Sequence, residues 1–142
     1  MKISVVAVGK IRERSVRDVA DDYLARLRRY VRAEEIEPKD DAALERAVPA
    51  DALVVALEVW GKGIGSEDFA RRLESWGSTG KGHVAFVIGG AEGIPRALSQ
   101  RAQFHLSLSP MTLPHRLARV ILFEQLYRAM TILRGEPYAR EG

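Results

Sequence analysis

Short apolar runs rich in valine and isoleucine alternate along this chain with segments of helical periodicity, and no other feature constrains the fold as much. The runs expected to form strands are Ile3–Val8, Ala33–Pro38, Leu53–Val59, His83–Ile88 and Phe104–Ser109. The segments expected to form helices are Val16–Val31, Asp40–Val48, Glu67–Trp76, Pro95–Arg101 and Pro114–Arg134. Because strands separated by helices are joined by crossovers, the sequence predicts an α/β fold with a mostly parallel sheet and helices on both faces.

Length and composition predict one soluble globular domain that spans residues 1–142. The length of 142 residues is close to the commonest domain size, and a content of 46% apolar and 29% charged residues excludes a disordered chain. The apolar runs are far too short to span a bilayer, and no small-residue cleavage site follows the first of them. The chain has no cysteine, which excludes a disulfide framework and a thiolate site and fits the cytoplasm.

The charge of the chain is compatible with contact to nucleic acid but too small to require it. The net charge is +3, and arginines are concentrated in residues 12–32 and in the tail 134–140. A solvated helix face is one interpretation of such a run. A surface that follows RNA phosphates is the other, since arginine suits that contact.

The stretch Leu106–Arg119, which joins the last strand to the last helix, is the strongest candidate for a binding segment. Pro110 ends ladder pairing because it lacks an N–H group, and Pro114 has the fixed φ that suits a first helical turn. Such a turn exposes unpaired backbone N–H groups and the positive end of a helix dipole, which suit an anionic or carbonyl-rich ligand. Taken alone, an ordinary strand-to-helix connection would have the same sequence character.

Two glycine-rich segments follow the third and fourth predicted strands. The glycines of Gly61–Gly65 are not followed by the Lys-Ser/Thr of a Walker motif, and Ser66 after them is a candidate helix N-cap. Gly89–Gly93 lacks dinucleotide-motif spacing, but its glycines would let a ligand approach the backbone. Because the carboxyl ends of parallel strands meet at one edge, we expect a ligand site formed by residues 57–61, 89–93 and 108–113.

The last helix is apolar around nearly its whole circumference, so it must be buried on more than one side. In a small domain one side packs on the sheet, and a second copy of the chain would cover the other, which predicts a homodimer. Glu124 and Arg128 are four residues apart and could form an ion pair on this helix.

These loops and the last helix closely resemble a known family when they are considered together. The segments that carry the resemblance are AVGKIRE, the helix Tyr23–Tyr30, ALEVWGKGIGSEDFA, FVIGGAEGI, LSLSPMTLPHRLARVILFEQLYRA and GEPYAR. They resemble the SPOUT-class methyltransferases that modify N3 of a pseudouridine in large-subunit ribosomal RNA, the RlmH family. The resemblance covers the chain from end to end.

The resemblance implies S-adenosylmethionine as the methyl donor, no metal ion, and a C-terminal trefoil knot that forms the donor pocket. Periodicity could not have predicted the knot, because chains rarely thread themselves. Carried over residue by residue, the implied donor site consists of Leu57, Gly89, Leu108, Ser109, Pro110, Met111, Thr112 and Leu113. These residues fall in the three segments that strand order selects.

The family also implies a homodimer whose site is shared across the interface, and ribosomal RNA within the ribosome as the substrate. The residues expected to orient the RNA or accept the departing proton are His115, Arg119, Tyr127, Arg128 and Tyr138. His115 is the first candidate for a general base, and a capping role near the helix start is its alternative.

One departure from the family pattern lies in the tail. Family members usually have Tyr-His-Arg/Lys there, whereas this chain has Tyr138-Ala139-Arg140. If that histidine assists catalysis in the relatives, this chain does without it. Transfer RNA as the substrate, a ribosome-binding module without activity, and a small-molecule-binding protein unrelated to RNA remain the alternatives.

Overall fold

The computed structural model describes residues 1–79 and 81–141. The strands are β1 (Lys2–Ala7), β2 (Arg32–Ile36), β3 (Leu53–Lys62), β4 (His83–Ile88) and β5 (Phe104–Leu106). The helices are α1 (Arg14–Leu27), α2 (Asp41–Ala47), α3 (Ser66–Thr79), α4 (Arg96–Arg101), α5 (His115–Leu133) and α6 (Tyr138–Glu141). The predicted α/β class is confirmed, and α6 is an element that the periodicity did not predict.

The strands form one sheet in the order β2-β1-β4-β3-β5, and every pair of neighbours is parallel. The connections β1 to β2 and β3 to β4 run toward the β2 edge, whereas β2 to β3 and β4 to β5 run toward the β5 edge. Because parallel crossovers are right-handed, connections that run in opposite directions place their helices on opposite faces. This rule accounts for α1 and α3 on one face and α2 and α4 on the other.

Each face of the sheet has its own apolar core, as the alternation of side chains along β3 and β4 requires. Val55 and Phe86 pack with α1, α3 and α5, and their chain neighbours Val54 and Val87 pack with α2 and α4. Helix α5 lies between α1 and α3 and packs on both. No helix within residues 1–79 and 81–141 is long and apolar enough to cross a membrane.

Several sequence predictions about element ends were wrong, and α1 ends at Leu27 instead of Val31. Strand β5 ends at Leu106 instead of Ser109, and β3 continues to Lys62 through residues predicted to be a loop. The β3–β5 register shifts between Leu57 and Lys62, so the end of β3 pairs again with the same residue of β5. Ser66 is the first residue of α3 and not its N-cap, because its hydroxyl donates to Gln125 Oε1 at 2.7 Å.

The second pairing of β3 with β5 depends on the lack of a side chain at Gly61. A Cβ atom built there would lie 2.7 Å from the His105 carbonyl oxygen, closer than atoms can pack. A glycine in this strand therefore allows the two backbones to approach.

We expect Gly61→Ala to lower the free energy of unfolding by about 1–3 kcal/mol, because the new methyl group would push β5 away from β3. Gly63→Ala is the matched control, since a Cβ there would meet nothing within 4 Å. Urea denaturation of both variants measures the difference. Equal stability of the two variants would contradict this account of the register shift.

Candidate functional site

A pocket of about 340 Å³ lies at the carboxyl ends of β3 and β4, where the chain after the two strands leaves toward opposite faces of the sheet. Such a switch point is where open α/β sheets bind ligands. The pocket is lined by the segments that the sequence selected, and by His115 and Ala118 at the start of α5. Seven of the eight residues in the implied donor site line it, and Pro110 does not.

The turn after β4 is folded tightly on itself. A Cβ atom at Gly89 would lie 2.5 Å from the Gly93 carbonyl carbon, so this position must be glycine. The Gly93 N–H donates to the Gly90 carbonyl at 2.9 Å, and the Gly90 N–H donates to Asp41 Oδ1 at 2.9 Å. The sequence predicted that these glycines let a ligand approach closely, whereas at Gly89 the close approach is made by the protein's own backbone.

The segment 107–113 after β5 is shaped by serine hydroxyls. Ser107 Oγ donates to the Ser109 carbonyl at 2.9 Å, and Ser109 Oγ accepts the Met111 N–H at 2.9 Å. The N–H groups of Thr112 and Leu113 donate to no acceptor among the described residues. The pocket wall therefore offers backbone donors and apolar side chains, which suit a neutral heterocycle.

Helix α5 begins at the edge of the pocket. Pro114 precedes its first residue, and the Pro114 carbonyl accepts the N–H groups of Leu117 and Ala118. His115 is exposed, lines the pocket and makes no hydrogen bond to a described residue. A capping role for His115 therefore finds no partner among the residues that the structure describes, and its ring is open to a ligand.

Arg119 lies outside the pocket, in a buried ion network. Its side chain is 3% exposed, and Nη1 contacts Glu35 at 2.9 Å and Glu37 at 2.5 Å. Nη2 donates to the carbonyls of Gly9 at 2.8 Å and Val8 at 3.4 Å. Among the described residues, Arg119 Nε is the one buried side-chain nitrogen or oxygen without a partner.

This network fixes α5 to the far edge of the sheet. Arg17 from α1 joins it by contacting Glu35 at 2.5 Å and Glu37 at 3.3 Å, so that two arginines neutralise two carboxylates. The neighbouring Ala118 lines the pocket. The geometry gives Arg119 a positioning role for the pocket wall rather than contact with a ligand.

The second half of α5 carries Tyr127 and Arg128, and both lie close to Tyr138 of α6. Arg128 Nη2 contacts Glu124 Oε2 at 2.8 Å, so the ion pair predicted from their spacing is present. Tyr138 donates its hydroxyl to the same carboxylate oxygen at 2.8 Å, and its ring lies 4.6 Å from that of Tyr127. Arg128 Nη1 also reaches the Ala139 carbonyl at 3.4 Å.

The tail reaches this cluster because α5 ends in a tight reversal. The Gly135 N–H donates to the Ile132 carbonyl at 3.1 Å and the Glu136 N–H to the Thr131 carbonyl at 2.9 Å, the hydrogen-bond pattern of a Schellman motif. Tyr30 then donates to Glu136 Oε2 at 2.7 Å. The glycine and proline of the GEP sequence are a signal that could have predicted this reversal.

The environment of Tyr138 determines its protonation. Burial and the hydrogen bond to Glu124 raise the pKa of Tyr138 above the ordinary tyrosine value. Its hydroxyl therefore keeps its proton at neutral pH and donates a hydrogen bond to the Glu124 carboxylate. While this bond persists, the single O–H group of Tyr138 is used by Glu124, so its oxygen can accept a hydrogen bond from a partner but cannot act as a base.

The candidate catalytic residues are not all close together within one chain. His115 and Arg128 are thirteen positions apart on α5, which separates them by about 20 Å along the helix axis. Tyr127 and Tyr138 lie with Arg128, whereas the pocket lies with His115. Within one chain the two groups are therefore too far apart to contact the same atom of a ligand.

The arginines of α1 are largely paired. Arg14, Arg17 and Arg26 each contact an aspartate four residues away on the same helix, at 3.7, 2.9 and 3.2 Å. These pairs favour the solvated-face interpretation for α1. Positive charge remains at Arg28, Arg29 and Arg32, which line an open groove at the amino ends of β1 and β2, away from the pocket. Lys2 lines the same groove but contacts Glu34 at 3.3 Å.

Ser4, His83 and Asp51 have the order of contacts of a hydrolase triad, yet they cannot act as one. Ser4 Oγ lies 2.8 Å from His83 Nε2, and His83 Nδ1 lies 3.5 Å from Asp51. Ser4 is fully buried and donates its hydroxyl to Glu34 at 2.6 Å. A nucleophile without access to solvent or a pocket has a structural role.

One polar group on the pocket wall lies in the predicted segment 57–61 but was given no role by the sequence. Glu58 and Trp60 line the pocket, and His105 contacts them both. Glu58 is a charged residue inside the otherwise apolar stretch LVVALEVW, and that interruption was the available signal. Nothing in the sequence indicated that His105 would reach it.

Comparison with known proteins agrees with this geometry. Residues 1–139 match the sequence family described as "Predicted SPOUT methyltransferase". The chain is 54% identical over 144 residues to the ribosomal RNA large subunit methyltransferase H of Sorangium cellulosum, and the match covers 98% of this chain and 99% of the relative. The protein of the same name from Acetivibrio thermocellus is 44% identical over 159 residues, covering 99% of this chain and 100% of the relative.

A solved structure also shares the fold. It is described as a probable methylase family protein from Haemophilus influenzae, and it superposes with a TM-score of 0.57 over 96% of this chain and 69% of its own length. The two sequences are 14% identical, so this likeness concerns the fold alone.

We expect Arg119→Ala to lower the free energy of unfolding by about 3 kcal/mol, because it removes the buried one of the two cations that neutralise Glu35 and Glu37 and leaves only Arg17. Arg14→Ala is the control, since the Arg14 side chain is 92% exposed and its pair with Asp18 should contribute less than about 1 kcal/mol. Urea denaturation of both variants measures these effects. A loss for Arg119→Ala as small as that for Arg14→Ala would contradict the anchoring role.

Proposed function

Because this chain belongs to the SPOUT methyltransferase family, we propose that it transfers a methyl group from S-adenosylmethionine to N3 of a pseudouridine in large-subunit ribosomal RNA. Membership of the family also implies the C-terminal trefoil knot. The observation that carries the proposal is that Leu57, Gly89 and residues 108, 109 and 111–113 line one pocket.

The pocket has the chemistry that a methyl donor of this kind requires. The free N–H groups of Thr112 and Leu113 can bind the adenine, whose ring nitrogens are hydrogen-bond acceptors. Apolar lining from Leu57, Ile88 and Leu108 surrounds the rest of the ligand. No carboxylate occupies the first turn of α5, so the positive end of its dipole is available to the donor's own carboxylate.

Methyl transfer from a sulfonium is an in-line displacement. The methyl group leaves the donor sulfur as a new bond to N3 forms, and S-adenosylhomocysteine remains. Alignment of donor and acceptor supplies much of the rate. The N3–H proton must also leave, and His115, exposed at the pocket edge without another partner, is the residue we assign as its acceptor.

A twofold dimer through α5 would complete this site. Leu117 and Ile121 are 40% and 37% exposed on one stripe of the helix, and Arg128 continues the stripe toward its end. If two α5 helices pack antiparallel with the axis near Ile121, Arg128 of the partner subunit lies beside His115. The Arg128–Glu124–Tyr138 cluster would then supply donors to the RNA bound at the other chain's pocket.

The substrate we propose is the assembled ribosome in the cytoplasm rather than free RNA. The net charge is only +3, and ion pairs within α1 neutralise much of its arginine surface. Affinity that depends on phosphate contacts alone would therefore be weak. The shape of the folded RNA and its proteins must supply the specificity.

Transfer of labelled methyl from S-adenosylmethionine tests the function. The substrates are assembled ribosomes, separate large subunits, free ribosomal RNA and transfer RNA, all from cells that lack this protein. We expect label on large-subunit RNA, strongest with assembled ribosomes, and N3-methylpseudouridine in its nuclease digest. Label on transfer RNA would instead identify transfer RNA as the substrate. Donor binding with no transfer to any RNA would identify an inactive binding module. The feature that favours this alternative is Ala139, where family members usually have histidine.

Mixed dimers test the shared site. We expect His115→Ala and Arg128→Ala each to lower methyl transfer by about a hundredfold. When the two variants are denatured and refolded together, half of the dimers carry one site with both residues intact, so activity returns to roughly a quarter of wild type. Recovery requires that the two residues act across subunits. Mixtures that remain as inactive as the single variants would contradict the shared site.

A further inference from the structure

Trp60 is a large exposed aromatic side chain at the edge of the donor pocket. Its indole is 67% exposed although it lies within β3, and it lines the pocket together with the 75% exposed Met111. An indole in water forgoes more apolar burial than almost any other side chain. Such exposure beside a ligand pocket indicates a surface that something else covers.

The indole ring is held in place by a relay of polar contacts. The His105 ring lies 4.7 Å from the Trp60 ring at 36° between planes. His105 Nδ1 lies 2.7 Å from Glu58 Oε2, and Ser99 Oγ donates to the same oxygen at 3.1 Å. Because the Glu58 side chain is only 9% exposed, the relay ends in a fixed carboxylate. One face of the indole is thus supported by His105, and much of the rest is open.

The position of Trp60 argues against burial in the dimer that we propose. The contact of Glu58 with Ser99 of α4 places this relay on the α2 and α4 side of the sheet. Helix α5 lies on the opposite side. A dimer that pairs α5 with α5 would therefore have its interface on the face of the sheet opposite to this relay.

We propose that Trp60 stacks against a nucleobase that flanks the target nucleotide in the RNA. This inference rests on the proposed function, since it takes RNA to be the substrate. Unpaired bases bind to proteins by stacking on aromatic side chains, and a rigid indole suits this contact because little side-chain entropy is lost. Lys62, exposed two residues farther along β3, provides a cation for the adjoining phosphate.

Stacking on Trp60 would hold a neighbour of the target base, while the pocket holds the methyl donor that the target base must reach. A target base must leave its stack to reach the donor, and its neighbours then lose a stacking partner. An indole at the pocket edge replaces that partner for one of them. The effect should appear in RNA binding, not in donor binding.

Three substitutions at Trp60 distinguish stacking from other roles. Trp60→Ala removes the ring, Trp60→Phe keeps an aromatic face, and Trp60→Leu keeps apolar bulk without one. For Trp60→Ala and Trp60→Leu we expect the KM for assembled ribosomes to rise about tenfold or more, and for Trp60→Phe to stay within about threefold of wild type. The dissociation constant of S-adenosylmethionine and the sedimentation coefficient should be those of wild type for all three.

Each alternative result overturns the stacking role in its own way. Trp60→Leu as active as Trp60→Phe would indicate an apolar contact with a protein surface. Weaker donor binding in Trp60→Ala would assign Trp60 to donor binding instead of RNA stacking, and a change in sedimentation would place it in the dimer interface. Unchanged kinetics in all three variants would show that Trp60 has no role in RNA binding. If wild type itself methylates no RNA, the proposed function fails, which is a result distinct from all of these.

Discussion

The buried contact of Arg119 with Glu35 and Glu37 is the interaction on which the arrangement of the C-terminal half depends. It joins α5 to β2 and to the carbonyls that end β1, across the sheet from the strand that precedes α5. A buried ion network of this kind adds little net stability compared with apolar packing, but it tolerates only one placement of the helix. Because α5 is held there, the segment 107–113 must bridge the gap and becomes the wall of the pocket.

The same helix serves the two halves of the site at opposite ends. Its first turn carries His115 at the pocket, and its second half carries Arg128, Glu124 and Tyr138, about 20 Å away along the axis. The reversal at Gly135 returns the tail to this second half, where Glu124 accepts the hydroxyl of Tyr138. A rigid helix cannot bring its ends together, which is why the proposed function includes antiparallel pairing with a second copy.

The site was predictable where it follows from strand order and unpredictable where it follows from side-chain contacts. Residues 57–61, 89–93 and 108–113 could be selected because parallel strands end at a common edge. The roles of particular residues could not be read in this way. Arg119 had the character of a site residue but lies in the buried network, and the glycine at Gly89 accommodates the turn itself. His105 lies nearly fifty positions from Glu58, and only the β3–β5 pairing brings them together.

The sequence by itself determined the class of the fold, the strands and helices, the edge of the sheet that carries the pocket, and the resemblance that the family match confirms. These follow from periodicity and local motifs, which depend on neighbouring residues. The tertiary structure decided the extension of β3 past Gly61, the burial of Arg119, the reversal that returns Tyr138 to α5, and the relay that supports Trp60. Each of these depends on contacts between residues distant in the chain, and such contacts exist only once the sheet has fixed the position of every strand.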